Sequence, residues 1–372
     1  MKEPQVIIIG GGISGLINGI LLSRAGLKVL LLEKNSYPFH RVCGEYISNE
    51  VKPFLENQHL FPGEIGPSDI RELEITSPLG KRLKKALDLG GFGISRYRFD
   101  EFLANEARKS GVEILENTRV KEVKCEGIKF IVSDDSSVFL SDLVIGSQGK
   151  RSTLDKQLDR EFLKKKSPYV GVKYHLRGVF SNDVISLHNF EGGYCGINKI
   201  EDEKVNLCYL IHRDKVRKAG GIHESEVRFL YENPHLKQVF ESAEFLFEKP
   251  LIVNEVSFST KGLTKDKMIF SGDAAGTIAP FSGNGMAMAI RSAKYLSESI
   301  IKYWKGKPDH EKIVHRYTNL WQAEFANRIS RGRKIQKLFG DDLVSELTVK
   351  TGQVLPFLVD PLLRMTHGRP FR

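Results

Sequence analysis

A continuous β-branched run, Gln5-Val6-Ile7-Ile8-Ile9, passes directly into Gly10-Gly11-Gly12-Ile13-Ser14-Gly15. Ile13, Leu16, Ile17, Ile20 and Leu21 then recur at helical spacing until Gly26. Lys28-Val29-Leu30-Leu31-Leu32 follows as a second buried strand that closes on Glu33. Strand, GxGxxG turn, helix, strand and acid in this order make a dinucleotide-binding unit at the start of a parallel sheet. Gly10 permits the tight turn, Gly12 lets a pyrophosphate approach the backbone, and Gly15 lets helix and strand pack closely. The unpaired amides of the first helical turn, at Ile13 and Ser14, and the positive end of the helix dipole are expected to face the phosphates. Glu33, with Lys34 beside it, is expected to hold the adenosine ribose hydroxyls.

A second glycine-rich segment lies far downstream. Lys267-Met268-Ile269-Phe270-Ser271 reads as a short buried strand, and Gly272-Asp273-Ala274-Ala275-Gly276, Pro280 and Gly283-Asn284-Gly285 follow it. Met286, Ile290, Ala293, Leu296 and Ile300 mark another amphipathic helix. On these residues the chain resembles the FAD-dependent oxidoreductases of the para-hydroxybenzoate hydroxylase fold, and is closest in motif to the geranylgeranyl reductase family. The resemblance implies FAD as cofactor, with Asp273 on its ribityl chain and Pro280, Gly283, Asn284 and Gly285 near the isoalloxazine. Reduced flavin is anionic near neutral pH, and a helix N-terminus stabilises negative charge by ~0.3–1 kcal/mol.

The implied fold is α/β: a discontinuous Rossmann-like FAD-binding domain with an inserted, mostly antiparallel β-sheet substrate domain and C-terminal helices. The expected parts are residues 1–70, 91–160 and 263–305 for the FAD-binding domain, 71–90 for a substrate-domain hairpin, 161–262 for the substrate-binding sheet, and 306–372 for the helical end. Weaker family marks lie between the two motifs. In Arg96-Tyr97-Arg98-Phe99-Asp100 the resemblance makes Arg96 a cofactor contact, and Asp100 is read as an N-cap. Thr118-Arg119-Val120-Lys121-Glu122-Val123 looks like the strand whose backbone, at Val120, pairs with the adenine. In Ile145-Gly146-Ser147-Gln148-Gly149, Gln148 replaces an aspartate of the family motif that is implicated in handling NAD(P)H. The electron donor is therefore expected to be NAD(P)H bound transiently or a reduced ferredoxin.

His40-Arg41-Val42-Cys43-Gly44-Glu45-Tyr46 follows the first unit. Arg41 matches the family's phosphate-pairing residue, and the Cys-Gly pair, a mark of geranylgeranyl reductases and some related oxidoreductases, implies that Cys43 lies beside the flavin, where its thiol could donate a proton during reduction of a double bond. Arg71–Thr76 and Arg82–Leu87 read as a hairpin, and Tyr169–Arg177, Val184–His188, Gly193–Asn198 and Val205–Ile211 as strands. Tyr194 and Cys195 are the expected substrate contacts. Of the reductases' Tyr-x-Trp-x-Phe-Pro motif only the tyrosine is kept, and Gly196 stands where tryptophan is expected. His175, His188, His212 and His223 lack ligand-spaced partners, so no metal site is expected.

Composition narrows the rest. No apolar run reaches the ~18 residues of a membrane-spanning helix, and four cysteines far apart suit a reducing cytoplasm. The formal charge of +10 favours anionic partners, but the basic clusters lack interleaved aromatics, which argues against nucleic acid. The expected partner is a hydrophobic small molecule. The apolar-then-basic segment 354–364 is read as a docking helix, with peripheral membrane contact as its alternative. The leading reading is a reductase or dehydrogenase of an isoprenoid- or polyketide-like substrate. Its rivals are an aromatic or polyketide monooxygenase and a non-catalytic flavin-binding regulator, with a halogenase last for want of a Trp-rich signature.

Overall fold

The structure is a computed structural model that describes residues 3–164, 167–254, 261–277, 284–336, 342–354 and 368–372. Pro280 and Gly283, and residues 355–364 of the apolar C-terminal segment, lie outside the described residues. Among the described residues three sheets form. The first comprises β1 (Val6–Ile9), β2 (Val29–Leu32), β6 (Glu113–Leu115), β10 (Leu143–Gly146), β17 (Thr264–Lys265) and β18 (Met268–Phe270), in the order β17-β18-β10-β1-β2-β6. The second contains β3 (Tyr46–Ser48), β4 (Ser68–Thr76), β5 (Arg82–Gly93), β11 (Tyr169–Arg177), β12 (Val184–Phe190), β13 (Gly193–Lys199), β14 (Val205–His212), β15 (Glu244–Phe245) and β16 (Leu251–Asn254). The small third sheet is β7 (Glu122–Glu126), β8 (Lys129–Ser133) and β9 (Val138–Ser141).

In the first sheet β1, β2 and β10 are buried along their whole length. Their apolar side chains are covered on both faces, which is what continuous Val/Ile/Leu runs require of a parallel sheet. Val6 is in register with both Val29 and Leu143. β18 joins at the far side through Ile145↔Ile269, so the two distant glycine motifs leave the carboxyl ends of strands of one sheet. This is the Rossmann-like part of the expected α/β fold, and the second sheet is its mostly antiparallel companion.

The expected hairpin is present, extended to Ser68–Thr76 and Arg82–Gly93. It is joined to the larger sheet by a parallel pairing of β12 with β4. Strand alternation gives that sheet two distinct faces. Val170, Val172, Tyr174, Cys195, Ile197, Leu207, Tyr209 and Ile211 pack in one apolar cluster with Phe229 and Leu236. Tyr194, Leu187, Ile185 and Leu210 belong to a separate cluster with Tyr46 and Ile70.

Tyr317, Trp321, Phe325 and Ile329 form a helical stripe buried in the core of the nucleotide half. It runs through the helix His310–Trp321, a wider turn over Gln322–Ala326, and the helix Asn327–Gln336.

A serine-rich seam holds the two glycine motifs together. Ser14 Oγ and Ser271 Oγ lie 2.7 Å apart, and Ser271 Oγ is 3.2 Å from Ser292 Oγ. Asn18 Nδ2 donates to the Ser14 carbonyl and to Ser271 Oγ, while Ser297 Oγ donates to Asn18 Oδ1. Tyr317 Oη is 2.8 Å from Ser292 Oγ and donates to the Phe270 carbonyl at 2.9 Å. Gly272 adopts φ +64°, and a Cβ there would sit 2.8 Å from Ser14 Cβ. Gly272→Ala is expected to cost about 1–3 kcal/mol through backbone strain and this clash. Gly285→Ala, at a helical position where an added Cβ meets nothing within 4 Å among the described residues, is expected to gain about 0.4–1 kcal/mol. Urea unfolding of both variants checks the contrast.

Candidate functional site

Gly10 has φ +101°, a conformation that an L side chain resists, and a Cβ on Gly15 would collide with the Gly10 carbonyl oxygen. The sequence therefore turns sharply off β1 and starts the helix Ile13–Arg24 with Gly12 as its N-cap and no side-chain cap. The first amides of that helix stay available to a ligand. Glu33, at the end of β2, is 3% exposed and accepts from Gly11 N at 2.8 Å and from Asn35 N at 3.1 Å. Lys34 next to it is exposed. Thr118 N donates to the Glu33 carbonyl at 2.8 Å, which brings the Thr118–Val120 segment to the acid. Val120 is buried just before β7, rather than inside a strand as expected.

Two arginines converge on the turn. Arg96 Nη2 lies 3.6 Å from where a Gly12 Cβ would be. Arg41 Nη2 is 3.5 Å from both the Gly11 carbonyl and Glu33 Oε2. Asp100 lies between them, fully buried. Arg96 binds it in a fork, Nε and Nη2 each at 2.7 Å, and Arg41 Nε donates at 3.0 Å. Burial opposes the Arg96 charge, but Asp100 more than offsets this and holds the guanidinium above its ordinary value. The expectation that Asp100 caps the helix is corrected: Ser95 Oγ is the cap, accepting from Arg98 N, which frees Asp100 to turn inward as the arginines' counter-ion.

The second motif meets the first across the serine seam. Asp273 is half-buried and its carbonyl accepts from Lys261 Nζ at 2.8 Å. Asn284 is buried and is the N-cap of the helix Gly285–Lys302, without a side-chain cap bond to that helix. Two buried hydroxyls near the motifs, Ser147 Oγ and Thr277 Oγ1, have no hydrogen-bond partner among the described residues. Two uncapped helix starts, two guanidiniums and these hydroxyls at the carboxyl edge of one parallel sheet fit a long dinucleotide with anionic phosphates. Gln148, by contrast, is engaged structurally: its Nε2 donates to Asp155 Oδ1, within the Ser152–Asp155 capping box that also holds Arg160.

The segment Arg41–Glu45 crosses from the glycine turn onto the second sheet. Glu45 is wholly buried and grips two strand residues, Lys173 Nζ and, at 2.7 Å, His175 Nε2. Arg96 N donates to the same carboxylate at 2.7 Å. Burial works against the Glu45 charge, yet Lys173 and His175 outweigh it and bring its pKa down to about 2. Lys173 Nζ also donates to the Arg41 carbonyl at 3.1 Å, and Asn206 Nδ2 to the Gly44 carbonyl at 2.9 Å. His40 stacks on Tyr97, with ring centroids 4.5 Å apart, and burial followed by the Lys173 charge lowers it to about 4.

Cys43 is thus pinned on the sheet face that carries Lys173, His175, Asn206, Cys208, Leu210 and Tyr194. Cys195 is corrected as a substrate contact. It is one residue from Tyr194, so its side chain takes the other face and is fully buried among Val172, Tyr209 and Phe229. Sequence reasoning missed Glu45, Lys173 and Cys208. A glutamate directly after the Cys-Gly pair and a lysine inside an otherwise apolar strand were the available signals. No group of His, Cys, Asp and Glu fit to hold a metal occurs among the described residues.

The profile described as FAD binding domain matches residues 93–320, and one described as NAD(P)-binding Rossmann-like domain matches residues 8–49. The conditioned medium factor receptor 1 of Dictyostelium discoideum is 24% identical over 88% of this chain and 69% of its own length. The digeranylgeranylglycerophospholipid reductase 2 of Methanothermobacter thermautotrophicus is 24% identical over 92% of this chain and 90% of its own. Two solved structures share the fold. A geranylgeranyl bacteriochlorophyll reductase-like protein from Thermoplasma acidophilum has a TM-score of 0.78 at 19% identity, covering 98% of this chain and 100% of that one. A flavin-dependent brominase has a TM-score of 0.78 at 19% identity, covering 100% and 95%.

Arg96→Ala is expected to weaken FAD binding about tenfold or more, the worth of one charge-assisted hydrogen bond, and Asp273→Ala to do the same; flavin fluorescence on release measures both. Acid stability follows from the shifted groups. His40 near 4 and His188, which burial lowers to about 3, stay neutral in the fold while the unfolded chain takes up protons, so stability falls as pH drops below about 6.5. Glu45 adds a further loss as pH falls from its unfolded value of 4.5 toward 2. Denaturant midpoints across pH 7 to 3 should decline throughout, and His188→Gln should flatten the upper part.

Proposed function

The chain belongs to the FAD binding domain family and is a FAD-dependent oxidoreductase, and we propose that within it the protein is a reductase or dehydrogenase of a hydrophobic, isoprenoid- or polyketide-like substrate. The observation that carries this reading is the placement of Cys43, whose loop is fixed by Lys173 and Asn206 on the face of the second sheet that also carries the apolar Leu187 and Leu210. The reductase names among the relatives support it.

Bound FAD supplies the electron-pair chemistry. The chain's own residues hold and complete the site. The first amides of the helix Ile13–Arg24, with Arg41 and Arg96, bind phosphate oxygens, and Glu33 accepts from ribose hydroxyls. Asp273 takes the ribityl hydroxyls, and the start of the helix Gly285–Lys302 stabilises negative charge on the ring system. Leu187, Tyr194 and Leu210, packed in one buried cluster on that face, would supply the apolar side of a substrate site. Saturating a carbon–carbon double bond places a hydride on one carbon and a proton on the other, and Cys43 Sγ–H is the donor for the proton. Glu45, Lys173 and His175 position that thiol by clamping its loop.

Gln148 is tied to Asp155 in the motif that handles NAD(P)H in related hydroxylases, which favours a reduced ferredoxin as donor over NAD(P)H. A lipid-like substrate and a formal charge of +10 would bring the protein to an anionic membrane surface; no helix among the described residues is long and apolar enough to cross one. The rival reading is an oxygen-using enzyme, a monooxygenase or halogenase, favoured by the equal likeness to the brominase.

Saturated product formed without oxygen from a prenyl-lipid or polyketide panel is the expected result, and oxygen uptake stoichiometric with product would overturn it. Flavin that is reduced but never reoxidised by any substrate would point instead to a regulator. Cys43→Ser should cut turnover about a hundredfold, the worth of a positioned proton donor, at normal flavin content; unchanged turnover removes the thiol from the chemistry.

A further inference from the structure

The Cys43 loop is held over one spot of the second sheet by three contacts. Lys173 Nζ donates to the Arg41 carbonyl at 3.1 Å. Val42 Cγ1 lies 3.3 Å from where a Gly171 Cβ would be, beside Leu210 Cδ2. Asn206 Nδ2 donates to the Gly44 carbonyl at 2.9 Å. In the sheet, Gly171 is opposite Leu210 and Lys173 is opposite Cys208. Cys208 therefore shares its face with Asn206 and Leu210, between them. Cys43, flanked by Val42 over Gly171, the partner of Leu210, on one side and by Gly44, bound by Asn206, on the other, is set over Cys208.

Electrostatics agree with this placement. Burial pushes the Cys208 thiol up to about 12, and Cys43 is the next largest influence on it, ahead of Lys173. Across the pairing with β13, Cys208 is in register with Gly196, which puts no side chain beside the sulfur on that face. The remaining cysteines are poorly placed. Cys195 points to the opposite face of the sheet, and Cys125 is on β7 in the third sheet. All four are free thiols.

We propose that Cys43 and Cys208 form a redox-active dithiol, closing to an intramolecular disulfide when a small-molecule disulfide acts as oxidant. One protein thiolate attacks the oxidant's S–S bond and releases its first thiol. The second protein sulfur then displaces the other half from the mixed disulfide. The protein loses two electrons and two protons as the Sγ–Sγ bond forms, and the oxidant is reduced to two thiols. Closure takes away the proton that Cys43 carries, so the pair is a switch on the site as well as a modification site. The pairing rests on the loop and sheet geometry and not on the reductase reading. A fully active Cys43→Ser enzyme would remove that reading and leave the disulfide standing.

The test uses the full-length, FAD-loaded chain treated with oxidised glutathione. Thiol titration after denaturation should fall from four to two, and peptide mapping should recover Cys43 linked to Cys208, reversibly with reductant. Cys208→Ala should instead keep glutathione on Cys43, while Cys125→Ala should still close. Four titratable thiols after oxidation, a persistent glutathione adduct on wild-type Cys43, or a link through Cys195 would each overturn the pairing.

Discussion

Ser14 and Ser271 are 257 positions apart in the chain, and their hydroxyl oxygens lie 2.7 Å from each other in a buried seam. The rest of the nucleotide half depends on that meeting. Ser14 belongs to the first turn of one helix, and Ser271 directly follows the strand that launches the Gly272–Gly276 loop. Ser292 and Tyr317 extend the chain of hydroxyls into the helices Gly285–Lys302 and His310–Trp321. Each such bond adds only about 0.5–1.5 kcal/mol net, but a hydroxyl left buried without its partner costs about 1–3 kcal/mol. The seam is therefore selective more than it is strong. It accepts one register of the two motifs, and the small residues Ser14 and Gly272 let the elements come close enough to reach it.

The outline of this half was legible because its strands are buried on both faces. Val6–Ile9, Val29–Leu32 and Met268–Phe270 need no register to be recognised as interior strands. The glycine motifs were legible for a similar reason: tight turns and close approaches leave few residue types permitted. What joins the motifs was not legible, because serines within an apolar helix or at a strand end carry no spacing signal. Asp100 failed for a related reason. An aspartate near a helix start reads as a cap, but Ser95 already fills that role, and the Arg96/Asp100 spacing of one helical turn was the cue to its inward orientation.

The second sheet divides along the same line. Its strands were recognisable from their length and β-branched content, but their facing was not. Tyr194 and Cys195 are adjacent, and alternation forbids both from lining one pocket. Which of them faces the nucleotide half is decided by tertiary pairing, through the apolar cluster that takes Cys195 together with Phe229 and Leu236. The same alternation brings Lys173, His175 and Cys208 to the functional side. A lysine and a histidine buried in a strand would be prohibitive alone. They are tolerated because Glu45, itself buried, satisfies both and so fixes the Cys43 loop to the sheet.

Charge at the glycine turn is balanced in a comparable way. Arg41 and Arg96 face Glu33 and Asp100, so the four side chains carry no net formal charge. Attraction for a phosphate at this turn therefore comes first from the uncapped amides of the helix Ile13–Arg24 and its dipole, which no side chain neutralises. The two arginines differ in how firmly they are held. Arg96 is 13% exposed and forked onto Asp100, whereas Arg41 is 27% exposed and makes a longer, 3.5 Å approach to Glu33. An incoming anion competes more easily for Arg41, while Arg96 keeps Asp100 in place and spares the buried carboxylate from being left without a partner.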